Sequence, residues 1–263
     1  MRNLWNQAVY FGVAMIVLGL LASGAGATVL VTHTGSADPT TEGWTASTGG
    51  GVSTSGPGNE DGKAYWFVQS PEASRLGYTV DLTSGNVTDP SGWTATAVVR
   101  LVLGGEPSSQ AALQVIDKKD RFDIYLSDGS GTVALGVWIR SVAGDVQVSS
   151  ADPRVGYHTY QITFDPAGNA GDGAASYYMD GALLATQTRA DAVNNTSYRR
   201  ILWGDNNSGA GTPSSESHWA FAQFETGQRV VPEPATILLL GVGGLLFHRR
   251  RRRRSPLLQR QTK

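Results

Sequence analysis

The chain has no cysteine and only four histidines among its 263 residues. Missing thiols exclude disulfides, cysteine-ligated zinc or iron–sulfur centres and thiol nucleophiles. The histidines do not lie in H-E-x-x-H or a comparable metal spacing; they are His33, His158, His218 and His248. No P-loop, dinucleotide-binding or G-x-S-x-G pattern is present either. The sequence therefore indicates none of these enzyme classes.

Paired carboxylates on one strand are also missing. Many glycan-cleaving enzymes use two carboxyl groups about 5 to 10 Å apart, and alternate positions of a strand would place them on one face. Asp117, Asp120 and Asp123 are instead spaced three apart among turn residues, which predicts a solvated loop and a strand end.

Basic charge is scarce in the middle of the chain. Residues 28–231 carry 12 basic and 21 acidic side chains, a net charge of −9, whereas Arg2 and the run Arg249 to Arg254 lie outside that range. An acidic domain repels phosphate backbones, so nucleic acid is not expected as a partner.

Residues 1–27 have the pattern of a secretory signal peptide. Arg2 precedes an apolar run from Ala8 to Ala22, and Ala25 and Ala27 form an A-x-A end. The run is shorter than the roughly 20 apolar residues of a membrane-spanning helix, which disfavours the alternative of a short anchor. We expect an N-terminal signal helix that signal peptidase removes by cleavage after Ala27.

The chain ends with an extended peptide, an apolar segment and positive charge. Pro232 and Pro234 keep the peptide around Glu233 extended, and the apolar residues 235–247 precede the arginines. Positive charge after a hydrophobic helix stays on the cytoplasmic side. A helix at 235–247 is shorter than the hydrocarbon core, but arginine stems can extend it. We expect transient anchoring in the inner membrane, with the domain facing outward.

Residues 230–263 closely resemble the PEP-CTERM sorting signal of Gram-negative bacteria that make extracellular polysaccharide. The sequence Val-Pro-Glu-Pro-Ala-Thr from Val231, the Leu- and Gly-rich segment and the arginine cluster match that signal in order. The resemblance implies that an exosortase recognises Pro232, Glu233 and Pro234 and removes the helix, leaving the protein at the cell surface or in the extracellular matrix. The cluster includes Arg249, Arg250, Arg251 and Arg252. Ser255 to Lys263 extends beyond the usual end of such signals, and a plain stop-transfer anchor is the alternative.

Residues 28–229 have the pattern of many short strands. Runs rich in β-branched and aromatic residues are separated by Gly, Asp and Ser turns. Strands are expected at 93–103, 111–116, 122–126, 133–139, 157–164, 175–179, 183–187, 201–204 and 218–224, with turns at Asp128-Gly129 and Asp180-Gly181. We expect an all-β domain, an antiparallel β-sandwich of about a dozen strands spaced like a jelly roll.

This region resembles the concanavalin A-like and laminin G-like jelly rolls. The resemblance rests on Tyr157-His158-Thr159-Tyr160-Gln161-Ile162, Tyr177-Tyr178-Met179-Asp180-Gly181 and Ile201-Leu202-Trp203-Gly204-Asp205. It implies a jelly-roll sandwich in which His158 packs rather than reacts.

A ligand site is expected where an aromatic ring stands beside acid and amide groups, because sugar rings stack on aromatics and their hydroxyls need directional partners. The candidates are Trp203, Asp205, Asn206, Asn207 and Trp219. The oxygen-rich loop suits calcium with Asp205 as a ligand, although Ala220 stands where calcium-binding relatives have an acidic or amide residue. The alternative is that both tryptophans are core residues and the loop only turns the chain.

These patterns predict an exported, exosortase-processed protein with a non-catalytic module that binds carbohydrate or exopolysaccharide. Two alternatives stay open: a glycan-cleaving enzyme (a hydrolase or a lyase) of the same fold, and a structural matrix protein without a specific ligand.

Overall fold

The computed structural model describes residues 27–82, 92–104, 111–117, 120–130, 133–194, 199–206 and 214–227. The signal segment up to residue 26 and the whole chain from residue 228 lie outside these ranges. Both terminal helices, and the domain boundaries that depend on them, therefore stay predictions. Within the described ranges, no helix is long and apolar enough to cross a membrane.

The described residues form sixteen strands. In chain order they are β1 (Thr28–His33), β2 (Thr45–Gly49), β3 (Thr54–Glu60), β4 (Lys63–Ser70), β5 (Arg75–Asp81), β6 (Trp93–Leu103), β7 (Ala112–Asp117), β8 (Asp120–Ser127), β9 (Gly136–Ser141), β10 (Gly144–Ser149), β11 (His158–Asp165), β12 (Ala174–Met179), β13 (Ala182–Thr188), β14 (Val193–Asn194), β15 (Arg200–Gly204) and β16 (Ser215–Thr226). Short 3-10 turns occur at Pro39–Glu42, Asn169–Gly171 and Arg189–Asp191.

These strands make two antiparallel sheets. The first sheet has the order β13-β12-β11-β6-β16-β4-β3, and β1 pairs with the second half of β16. The second sheet has the order β10-β9-β8-β7-β15-β5-β2, and β14 pairs with the start of β8. Neighbours in space are often distant in the chain, as in a jelly roll. The predicted all-β antiparallel sandwich is confirmed.

The longest predicted strand, 93–103, coincides with β6. The predicted Asp180-Gly181 hairpin joins β12 to β13, and both residues have positive φ, 51° and 81°, as a tight hairpin turn requires. The Asp180 carboxylate also accepts a hydrogen bond from the Thr159 backbone N–H at 2.9 Å and lies 2.7 Å from His158 Nδ1. This turn therefore ties β12 and β13 to β11.

An aromatic cluster holds the two sheets together. Trp203 on β15 lies with its ring centroid 4.6 Å from that of Tyr78, 5.1 Å from Trp219 and 5.8 Å from Trp44. Trp203 and Trp219 belong to opposite sheets, and both are completely buried. Rings of this size contribute the largest buried areas of any side chains, so the cluster anchors one end of the core.

His33 adds a polar group to this cluster. Its ring stacks on Trp203 with centroids 4.8 Å apart, and Nδ1 lies 2.5 Å from Glu42 Oε2. Burial lowers the pKa of His33, while the hydrogen bond and the charge of Glu42 oppose that effect. The contact fixes the 3-10 turn after β1 against the core.

We predict that Trp203→Ala destabilises the fold by about 3 to 5 kcal/mol, because it leaves a large cavity between the sheets. Urea unfolding followed by tryptophan fluorescence or circular dichroism measures the change. Leu183→Ala is the control, since Leu183 is 59% exposed and its loss should change the unfolding free energy by about 0.5 kcal/mol or less. Equal effects of the two variants would contradict a central role for Trp203.

Candidate functional site

On β8 the side chains alternate between the core and the outer surface of the second sheet. Phe122, Ile124 and Leu126 belong to the hydrophobic core. Asp123 and Tyr125 lie between them and therefore point away from the core, yet each is only 1% exposed. Polar side chains on an outer sheet surface are normally solvated, so this burial marks the surface as unusual.

Four polar side chains follow one another across this surface. Gln114 on β7 is opposite Asp123 on β8. The register of β8 with β9, continued by one residue, places Arg140 opposite Asp123. Asp145 on β10 is opposite Arg140. Arg140 Nε donates to Asp145 Oδ1 at 3.1 Å. We call Gln114, Asp123, Arg140 and Asp145 the polar row. It presents an amide, two carboxyls and a guanidinium on four adjacent strands.

The buried carboxyl of Asp123 is electrostatically strained. Burial raises its pKa, whereas the charges of Arg121 and Arg140 and the hydrogen bonds from Arg121 and Gln114 oppose the shift. Arg121 Nε lies 2.5 Å from Asp123 Oδ2. Desolvation is the largest effect, because removing a carboxylate from water disfavours its charged form.

Aromatic side chains lie next to the polar row. Trp138 on β9 is opposite Tyr125, its ring is half-buried, and its indole N–H donates to the Ala134 carbonyl at 3.0 Å. Burial raises the pKa of the Tyr125 hydroxyl, and the charge of Asp145 raises it further. The Arg140 guanidinium lies 6.0 Å from the centre of the Tyr125 ring. Trp138 therefore offers an oriented, partly open ring beside fixed polar groups.

Gln114 is completely enclosed within the polar row. The residue is 0% exposed, and its side chain hydrogen-bonds the Asp123 carboxyl, which opposes the rise in the pKa of Asp123. A buried amide without partners costs about 1–3 kcal/mol, so this bond stabilises the burial of both side chains. Gln114 and Asp123 therefore form the buried part of the row, and Arg140 and Asp145, whose side chains are 21% and 27% exposed, form its open part.

Trp203 and Trp219, the aromatic candidates from the sequence, occupy a different place. Both are 0% exposed and their rings pack together between the sheets. A sugar cannot stack on either ring while the sandwich is closed. The strand alternation that makes these positions apolar also turns them inward, so the structure assigns them to the core.

Asp205 lies at the end of β15 and is also buried. Its Oδ2 accepts a hydrogen bond from Ser215 Oγ at 2.7 Å, and its backbone N–H donates to the Leu76 carbonyl at 3.0 Å. The bond from Ser215 on β16 connects the two sheets beside the aromatic cluster. Asn206 is half-buried, and Asn207 lies outside the described residues.

Among the described residues, no three His, Asp or Glu side chains are grouped to hold a metal ion. Residues 207–213 lie outside that set, so calcium at Asp205 stays a prediction.

Ala27 is described and half-buried. Ala25 and the processing residues Pro232, Glu233, Pro234, Arg249, Arg250, Arg251 and Arg252 lie outside the described residues.

The polar row was not found from the sequence, although part of its signal was present. Asp123 and Tyr125 stand at alternate positions of a strand with apolar neighbours, which places them on one outer surface. The expectation of a solvated loop is wrong for Asp117, which is 4% exposed, and Asp123, in the predicted strand 122–126, is 1% exposed. Arg189 binds the carboxylates of both Asp117 and Asp120, so those two hold the sandwich together.

Residues 230–254 match the PEP-CTERM protein-sorting motif. The chain carries a PEP-CTERM sorting signal. It is therefore an exported protein that an exosortase sorts to the cell surface, with a jelly-roll sandwich preceding the signal. None of the curated proteins matches the chain.

The sandwich is similar in fold to the carbohydrate esterase vb_24B_21 of the Shiga toxin-encoding bacteriophage phi24B. The TM-score is 0.54 at 13% identity, over 77% of this chain and all of that one. A structure of botulinum neurotoxin type C has a TM-score of 0.49 at 11% identity. The match covers 81% of this chain and about half (51%) of that chain. The endo-1,3-β-glucanase of Streptomyces sioyaensis gives 0.46 at 14% identity, over 78% of this chain and 98% of that one. At these identities only the concanavalin A-like fold is shared.

We predict that replacing Pro232, Glu233 and Pro234 by alanines blocks processing of this PEP-CTERM protein. The chain should stay uncleaved in the inner-membrane fraction, because the exosortase loses the peptide that it recognises. Immunoblots of fractionated cells measure size and location. Deleting Ser255–Lys263, which lies beyond the matched residues 230–254, is the matched control and should leave processing unchanged. Normal release of the triple variant would contradict the prediction.

We also predict that Asp123→Asn changes how the stability of the fold depends on pH, because burial raises the pKa of the Asp123 carboxyl. Because the pKa of Asp123 is higher in the folded state than in the unfolded state, its protonated carboxyl contributes fully to the unfolding free energy below pH 4, about the pKa of the unfolded state. That contribution is lost as the pH rises through the pKa of the folded state. Urea unfolding measures the change: between pH 4 and pH 7, the unfolding free energy of the variant should rise relative to that of the wild type. Asp145→Asn is the control, because the Asp145 side chain is 27% exposed. Parallel stability curves for wild type and Asp123→Asn would refute this account.

Proposed function

We propose that this protein is a non-catalytic carbohydrate-binding module of the cell surface of a Gram-negative bacterium. Its ligand is a polysaccharide segment that lies along the outer surface of the second sheet. Signal peptidase and an exosortase act on the chain during export, and the polysaccharide is its partner afterwards. The observation that carries the proposal is the half-buried Trp138 beside the Arg140–Asp145 ion pair on the outer surface of the second sheet.

The chemistry of this surface fits a sugar. A pyranose has apolar C–H faces that stack on aromatic rings, and hydroxyls that both donate and accept hydrogen bonds. Trp138 supplies the ring, and Arg140, whose side chain is 21% exposed, supplies a charged partner. The buried Gln114 and Asp123 lie beside Arg140 and hold the surface in place. All four lie on the adjacent strands β7, β8 and β9, so their spacing is set by the sheet and not by a loop.

The charges on this surface favour a neutral polysaccharide. Arg121 is paired with Asp123 and Arg140 with Asp145, so neither cation is in excess. The domain as a whole carries −9 and repels polyanions. The phage protein of the same fold is a carbohydrate esterase, which supports contact of such a sandwich with sugars.

The binding test uses the full-length protein in detergent and a panel of immobilised laminarin, dextran, xylan and alginate. We predict binding to at least one neutral polymer, and an affinity about tenfold lower for Trp138→Ala and for Arg140→Gln. Leu183→Ala on the first sheet is the control and should bind like the wild type. The proposal fails if no polymer binds, or if the two variants bind as tightly as the wild type.

A specific observation favours glycan cleavage as a second candidate function. Asp123 and Asp145 stand two strands apart in the polar row, a backbone separation of about 10 Å, and burial raises the pKa of Asp123. A raised pKa suits a general acid, and the second carboxylate is available as a base. Release of reducing ends from the same panel, lost in both Asp123→Asn and Asp145→Asn, would replace the binding proposal by this one.

A further inference from the structure

The outer surface of the first sheet carries a second group of aromatic and charged side chains. Trp66 and Val68 on β4 belong to the core, so Tyr65 and Phe67 point outward. His218 is opposite Phe67 on the neighbouring β16. We call Glu60, Tyr65, Phe67, Arg100, Tyr157 and His218 the Tyr65 surface. It lies on the opposite side of the sandwich from the polar row.

The rings of this surface lie flat against the sheet. Tyr65 stacks on His218 with centroids 4.0 Å apart and planes 8° apart, and Tyr157 lies 6.5 Å from Tyr65. A Cβ at Gly58 would clash with the Tyr65 ring, and a Cβ at Gly56 would press on Phe67. Two side-chain-free positions of β3 therefore let the rings lie over the backbone and form a platform.

Charged groups surround the platform. Arg100 makes an ion pair with Glu60, and His218 Nε2 lies 3.0 Å from Glu216 Oε1. His218 is only 7% exposed, yet its Nδ1 has no hydrogen-bond partner among the described residues, and Glu60 Oε2 is 3.9 Å away. A buried nitrogen that faces away from the core therefore lacks a hydrogen-bond partner among the described residues.

We infer that the Tyr65 surface is a second binding site for a neutral polysaccharide segment, so that one molecule holds two polymer chains. The inference rests on the proposed function for the nature of the ligand. Half-buried aromatic residues beside charges of both signs mark this surface as they mark the polar row. The core lies between the two surfaces, so two chains can bind without contact between them.

Bridging of polymer-coated beads tests this inference. The full-length protein in detergent is mixed with two colours of beads coated with each of laminarin, dextran, xylan and alginate, and mixed clusters are counted by flow cytometry. Wild type should bridge beads. Phe67→Leu keeps the apolar volume but removes the ring, and Trp138→Ala disables the other surface. Each should still bind beads, with an affinity about tenfold lower, and should lose bridging. Leu183→Ala is the control and should bridge like wild type.

The outcomes separate the two proposals. If wild type binds no bead, the proposed function fails and this inference fails with it. If wild type binds but does not bridge, or if Phe67→Leu bridges like wild type, only the second site is refuted. Bridging through association of the C-terminal tails would persist in Trp138→Ala as well as in Phe67→Leu, and that result also overturns the inference. Thermal unfolding of each variant confirms that it is folded.

Discussion

Packing of Trp203 against aromatic rings from both sheets is the interaction on which the rest of the structure depends. Trp219, Tyr78 and His33 surround it, and the chain has no cysteine to hold the sheets together otherwise. Because strand side chains alternate, every position that fills this core sends its neighbour to an outer surface. The side chains available for the proposed binding are thus the outward-facing ones on β4, β8, β9 and β16.

The polar row has a cost in stability. Asp123 is buried, and desolvation disfavours its charged form more than its neighbours favour it. Arg121 offsets part of the cost through its ion pair with Asp123. Functional sites commonly show this conflict between stability and activity. Under the proposed function, the conflict lies on adjacent strands of a sheet, whose pairing sets the positions of these groups without a ligand.

Export and the proposed binding belong to separate segments of the chain. The sorting signal occupies the C-terminal end of the chain, at 230–254, and acts through a short peptide, an apolar stretch and arginines. The sandwich needs none of these, since its strands lie between Thr28 and Thr226. A module with two binding surfaces, released outside the cell, would suit a polymer-rich matrix because it can join chains without enzymatic work.

The sequence by itself determined the sorting signal and the β-sandwich, because both depend on local patterns: proline spacing, an apolar run followed by arginines, and alternation along strands such as Trp93–Leu103. It also contained the Asp180-Gly181 hairpin, whose turn needs only residues that tolerate positive φ. Only the tertiary structure decided which surface carries the candidate site. Gln114, Asp123 and Arg140 come from three strands, and the burial of Trp203 depends on a partner in the opposite sheet. Neither fact follows from sequence spacing, because strand pairing between distant segments brings these residues together.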